Sequence, residues 1–242
     1  MALAQTREPL YIEPVWGDVV MRLCVRALAL ALMAYPAAAQ DWSGAYIGGF
    51  GAYEHANREM SVPSIYKVRA TPDRLGWGAG GLVGYNWQMN SFLIGAELDL
   101  SWSDDEPRMT FPAMLGTQAI HTYTTFDYLA TLRWRAGFTF GGTLVYGTAG
   151  VAWMHGRSHL MMTEGVGPNW GPAIATDDAN AQHWGWVAGA GLEYQLLPAL
   201  MLRTEWLHYD FGSEAYNYPT TSILTQGAGV VDAVRAAIVA RL

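Results

Sequence analysis

Cysteine is nearly absent from this 242-residue chain, which holds one, Cys24. That excludes a disulfide scaffold. Lysine is as scarce: Lys67 alone, with a formal net charge of −7, which excludes an electrostatic nucleic-acid binder. Charged residues make up 14% of the chain, well below the ~25% of ordinary soluble domains. Long apolar runs are missing too, so nothing reaches the ~20 residues a membrane helix needs. What the chain has is 51% hydrophobic residues, 27 Gly and 11 Trp, which excludes a disordered polymer.

The first 39 residues read as separate from the fold. Arg22 and Arg26 precede a short apolar stretch, Ala27 to Met33. Pro36 and Ala37-Ala38-Ala39 then supply small residues for cleavage. This is signal-peptide anatomy over 21–39, with 1–20 read as a mis-assigned start and 40–242 as the folded domain. Cys24 lies before the apolar stretch, the wrong side for lipidation, and the mature chain is left without cysteine.

The remainder alternates with period two, the strand signature. Four segments have an apolar face opened and closed by aromatics ten residues apart: Trp77 to Trp87, Phe92 to Trp102, Tyr128 to Phe138 and Trp184 to Tyr194. Ten residues at a rise of ~3.4 Å, tilted by ~40°, climb ~26 Å, the height of the apolar band between the aromatic girdles of an outer-membrane barrel. Charge and glycine share the opposite face. In lipid every backbone group must pair internally, so such strands must close on themselves. The expected fold is all-β: an eight-stranded antiparallel up-and-down transmembrane β-barrel. Its strands are expected near 44–56, 75–88, 91–103, 123–138, 143–156, 182–195, 199–212 and 229–241. In the fifth, Tyr146, Thr148 and Trp153 do not sort into faces. Short turns are expected at Met89-Asn90, Thr139 to Gly142 and Leu196 to Pro198, with long outer loops near 57–74, 104–122, 157–181 and 213–228. The likeness of 76–85 to 185–194 points to a repeated hairpin.

Several stretches carry a resemblance: Trp42 to Gly49, GWGAGGLVGYNWQ at 76–88, FLIGAELDL at 92–100, LATLRWRAGF at 129–138, VYGTAGVAW at 145–153, GWVAGAGLEYQL at 185–196 and LRTEWLHYDFG at 202–212. The chain resembles the small, porin-like outer-membrane β-barrels of alphaproteobacteria, related in architecture to the OmpA transmembrane domain. The resemblance implies export to the outer membrane of a Gram-negative bacterium. It also implies contact with outer-membrane lipid and lipopolysaccharide, and insertion by the barrel-assembly machinery. That machinery reads a terminal aromatic, and here the last strand ends Ile238, Ala240, Leu242 on one face instead. No peptidoglycan-binding domain is expected after the last strand.

The expected interior sets Glu97, Asp99, Glu193 and Glu205 against Arg133, Arg135, Arg203 and Arg235. Eight strands leave room only for side chains, so a plugged interior is expected, with a weak or gated pore as the alternative. His155 and His159, four apart, with His183, form a candidate ligand site. The resemblance adds haem as its occupant, against solvated loop histidines as the plainer reading. No resident cofactor or metal is expected. Catalysis is not expected either: there is no Gly-x-Ser-x-Gly elbow, and Ser101, Ser103 and His208 are isolated. The first loop (Arg58, Lys67, Arg69, Arg74) is basic and suits lipopolysaccharide phosphates, while Asp104-Asp105-Glu106 marks the second as acidic. A secreted soluble barrel of lipocalin type is the rival fold, with its apolar face inside. The expected role is structural and interfacial in the cell envelope.

Overall fold

Alternation of small or polar residues with large apolar ones builds strands whose two faces suit different surroundings. The computed structural model describes residues 41–62, 66–70, 74–103, 108–112, 118–164, 171–218 and 223–242. The segments read as an upstream extension and a signal peptide lie outside them, as do Cys24 and Asp104-Asp105-Glu106. Arg58, Lys67, Arg69 and Arg74 lie on described backbone, but their side chains are outside the described part.

The strands are β1 (Gly44–Val62), β2 (Tyr66–Ala70), β3 (Arg74–Met89), β4 (Phe92–Ser103), β5 (Arg108–Pro112), β6 (Gln118–Phe140), β7 (Thr143–Glu164), β8 (Ala173–Leu197), β9 (Leu200–Tyr218) and β10 (Ile223–Arg241). Eight form one antiparallel sheet in the order β10-β9-β8-β7-β6-β4-β3-β1, and β10 pairs with β1 to close it. The fold is therefore a closed eight-stranded barrel. Among the described residues, the short β2 and β5 pair only with β1 and β6 respectively.

The barrel strands run farther than the alternation indicated. Segments expected as loops are largely hairpin arms: β7 and β8 stay paired as far as Thr163 and Ala173, and β9 and β10 as far as Tyr218 and Ile223. Where both faces of a hairpin are polar the backbone ladder still forms, but the side-chain alternation that reveals it is lost. Two of the short turns are tighter than expected, and the first keeps its two residues but shifts by one. The turns occupy Asn90-Ser91, Gly141-Gly142 and Pro198-Ala199. Asn90 takes the left-handed conformation at φ 57°, which its short polar side chain tolerates.

At the rim near these turns Arg241 ties β10 to the segment before β1 and to the β8–β9 turn. Its guanidinium donates to the backbone oxygen of Asp41 and, at 3.1 Å, to that of Pro198. The hydroxyl and backbone N–H of Ser43 hold the Asp41 carboxyl below the usual carboxylate range, with Arg241 adding a smaller pull.

The two faces sort as a membrane barrel requires. Leu98, Leu132 and Trp134 are 52%, 53% and 61% exposed, whereas Glu97 and Arg133 are 3% and 1% exposed. A soluble barrel of lipocalin type would show the reverse. The unsorted fifth strand resolves as Tyr146, Thr148, Ala152 and Met154 inward, with Val151 and Trp153 on the other face. The expected girdle residues Trp77, Trp87, Trp102, Phe138 and Trp184 point outward and exposed, while Phe92, Tyr128 and Tyr194 lie half-buried on the same face.

Inward glycines make room for inward aromatics. Tyr46 lies opposite Gly84, Phe50 opposite Gly80 and Tyr146 opposite Gly191. In each pair a Cβ on the glycine would collide with the partner's ring. A bore this narrow can hold an aromatic on one strand only where its neighbour gives up a side chain.

Candidate functional site: the charged interior

Strand pairing alone brings some of the inward charges together. Glu97 on β4 lies opposite Arg133 on β6, Glu193 on β8 opposite Arg203 on β9, and Glu205 on β9 opposite Arg235 on β10. The first two of these are ion pairs. Of the remaining contacts, Arg133–Asp99 also joins the neighbouring strands β6 and β4, and the others join strands that are not paired. Arg133 reaches Asp99 at 2.9 Å and Glu205 at 3.4 Å. Arg203 meets Glu97 at 2.5 Å, and Arg235 meets Asp99 at 3.1 Å. Arg135 grips Glu193 with both terminal nitrogens, at 2.9 and 3.2 Å, the bidentate geometry that suits a planar guanidinium. All eight side chains are buried. Four cations and four anions thus form one neutral belt across the lumen.

Three tyrosines complete the belt, and sequence reasoning missed them. The Tyr46 hydroxyl donates to Glu97 at 2.8 Å and the Tyr146 hydroxyl to Glu205 at 2.6 Å. The Tyr209 hydroxyl accepts from Arg235 at 2.5 Å, and Thr131 donates to Asp99. Arg135 also stacks over the Tyr146 ring, 4.1 Å from its centroid, and Arg235 over Phe50 at 4.3 Å. The available signal was phase: each tyrosine falls on the inward register, the face expected to carry charge and glycine. The Nε–H groups of Arg133, Arg135 and Arg235 are buried without an acceptor among the described residues.

Apolar clusters lie on both sides of the belt. Toward the short turns are Trp42, Leu93, Leu144, Met201 and Val239. Toward the long hairpins are Met154, Val187, Leu207, Phe211 and Val231.

The candidate histidine site is not brought together. His183 lies opposite Met154 on the inner face and is buried. His155 and His159 lie opposite Gln182 and Asp178 on the outer face, so the barrel wall separates them from His183. His155 stacks on Tyr128, and His159 meets Asp178 at 2.5 Å. His155 and His159, an even number of residues apart on β7, share the outer face, and the parity of β8 sends His183 to the inner one. No group of three or more metal-ligating side chains occurs among the described residues. Ser101 faces inward and donates to the Leu129 carbonyl, whereas His208 faces outward and meets Asp232 at 3.0 Å, so the isolated serine and histidine candidates are on opposite sides of the wall.

A closed antiparallel barrel, apolar outside and charged inside, defines a membrane-spanning barrel of the outer-membrane type. The family model of the outer membrane protein beta-barrel domain matches residues 24–230, and the chain belongs to that family. It is 32% identical over 190 residues to the 31 kDa outer-membrane immunogenic protein of Brucella melitensis, covering 71% of this chain and 72% of that one. It is 26% identical over 186 residues to the 22 kDa outer membrane protein of Rhizobium leguminosarum, covering 76% and 71%. Among solved structures, Neisserial surface protein A aligns over 83% of this chain and 98% of its own, at 14% identity and a TM-score of 0.42. The protein is an integral protein of the Gram-negative outer membrane.

Proposed function

We propose that the protein is a closed, non-conducting barrel that serves the envelope as a structural element and presents its outer hairpins at the cell surface. The observation that carries this reading is the neutral belt of eight buried charges between two apolar clusters. Opening a water path would require separating guanidinium–carboxylate contacts and parting both clusters, and stripping partners from buried ions costs several kcal/mol. Surface presentation draws support from the length of the paired arms of β7 and β8 and from the Brucella relative, whose name describes an immunogenic outer-membrane protein.

Reconstitution of the refolded barrel in a planar bilayer tests the plug. The expected trace is flat at ±100 mV under salt conditions in which a general porin gives clear steps. Reproducible single-channel steps at wild-type sequence would overturn the closed reading.

A further inference from the structure

Two histidines flank one carboxylate across the seam that closes the barrel. On the outer face Asp232 of β10 lies directly opposite His55 of β1 on one side and His208 of β9 on the other. Side chains so placed start about 5 Å apart at their Cβ atoms. The Nδ1 of His208 meets the Asp232 carboxylate at 3.0 Å, and Trp186 and Trp206 flank that ring at 5.4 and 6.3 Å. His55 is exposed. The three do not meet at one point, so no ready-made cluster of ligands exists among the described residues. Rotation of the His55 ring about its own side-chain bonds completes the set, with no strand displaced.

Two imidazoles and a carboxylate on one face are the donors of an open divalent-metal site, with a position left for water. The depth suits a hydrated ion. The rung below carries Tyr53, Val234 and Trp206, with Trp77 edge-on to Tyr53 at 5.0 Å, so this rung begins where the girdle gives way to water. Ionisable groups facing outward at the margin of the bilayer are costly unless paired, and His208 alone pairs one side of Asp232. Asp210, two residues beyond His208 on the same face, is committed to the Gly212 N–H at 2.8 Å. We propose that His55, Asp232 and His208 bind one divalent first-row transition-metal ion such as Zn²⁺, which staples β1, β10 and β9 on the outside of the closing seam. An ion that binds only the folded barrel stabilises it by mass action. The inference rests on the outer-face register and not on the closed lumen, so it is read out separately from conductance.

The test uses untagged full-length barrel, refolded in detergent, stripped with EDTA and titrated with Zn²⁺ by calorimetry. The expected result is one ion per barrel. His55→Ala and Asp232→Asn should each weaken binding at least tenfold, while His159→Ala, on the outer face of β7 beside Asp178, leaves it unchanged. Zn²⁺ should also raise the temperature at which the folded gel band is lost in wild type and not in His55→Ala. Diethyl pyrocarbonate labelling of wild type, read by mass spectrometry, needs no variant to fold: Zn²⁺ is expected to protect His55 and His208 at least fivefold and to leave His155 and His159 as reactive as before. Absence of Zn²⁺ binding to wild type, wild-type affinity in folded His55→Ala, or protection confined to other histidines would each overturn the proposal.

Discussion

Arg133→Ala is expected to lower the barrel's unfolding free energy by about 3–5 kcal/mol, the cost of breaking a buried ion pair from one side. The arginine touches Glu97, Asp99 and Glu205, on two strands across the bore from one another. Its removal leaves a belt of one net negative charge, with three carboxylates that have lost a donor and cannot reach water. Arg133→Lys should fall between wild type and alanine, because an ammonium restores the charge but is not a fork wide enough to serve three acceptors. Urea titration in lipid vesicles, followed by tryptophan emission, measures both. A loss under 1 kcal/mol for the alanine variant would show that the belt does not hold the barrel closed.

Leu132→Arg is expected to cost about 2–4 kcal/mol, because a guanidinium at the bilayer midplane must be dehydrated or must drag water and headgroups toward it. Leu132 lies four residues from Tyr128 and six from Phe138, the aromatics that bracket its strand face. Its neighbours Leu98 and Val151 on the flanking strands are also exposed. The same change at Leu196, two residues from the Pro198-Ala199 turn, should cost about 0–1 kcal/mol, because depth governs the penalty. Equal costs at the two positions, measured by the same titration, would contradict a depth-graded lipid environment on this face.

Phase was the legible part of this fold. Wherever one face meets lipid and the other a packed lumen, the side-chain period of two is strict. Glu97 and Asp99, or Arg133 and Arg135, then cannot help but share a side. Register across a short turn follows from that turn, which is why Glu193 opposite Arg203 is legible around the β8–β9 turn, whereas Glu97 and Arg133 lie on β4 and β6, which a long connection separates. Contacts across the bore were not legible. Arg133 with Glu205 and Arg235 with Asp99 depend on barrel closure and strand tilt, which no local pattern encodes. Tyr46, Tyr146 and Tyr209 were overlooked because a tyrosine suits either a lipid interface or a polar core, and beyond phase the glycine opposite Tyr46 and Tyr146 is what betrays the inward choice. The outer arms were hidden because polar residues on both sides leave no alternation to see. His155, His159 and His183 were grouped by nearness along the chain, whereas a strand divides its residues by parity.

The central claim is that acyl chains cover the aromatic-bracketed face of these strands. Spin labels on single cysteines at positions 98 and 132, and at Gly142 in a turn, test it in reconstituted vesicles from their collision rates with oxygen and with a water-soluble nickel chelate. The barrel described above requires the labels replacing Leu98 and Leu132 to collide with oxygen and be shielded from nickel, with the label replacing Gly142 showing the opposite. Labels at 98 and 132 that meet nickel as freely as the turn does would place that face in water and end the account.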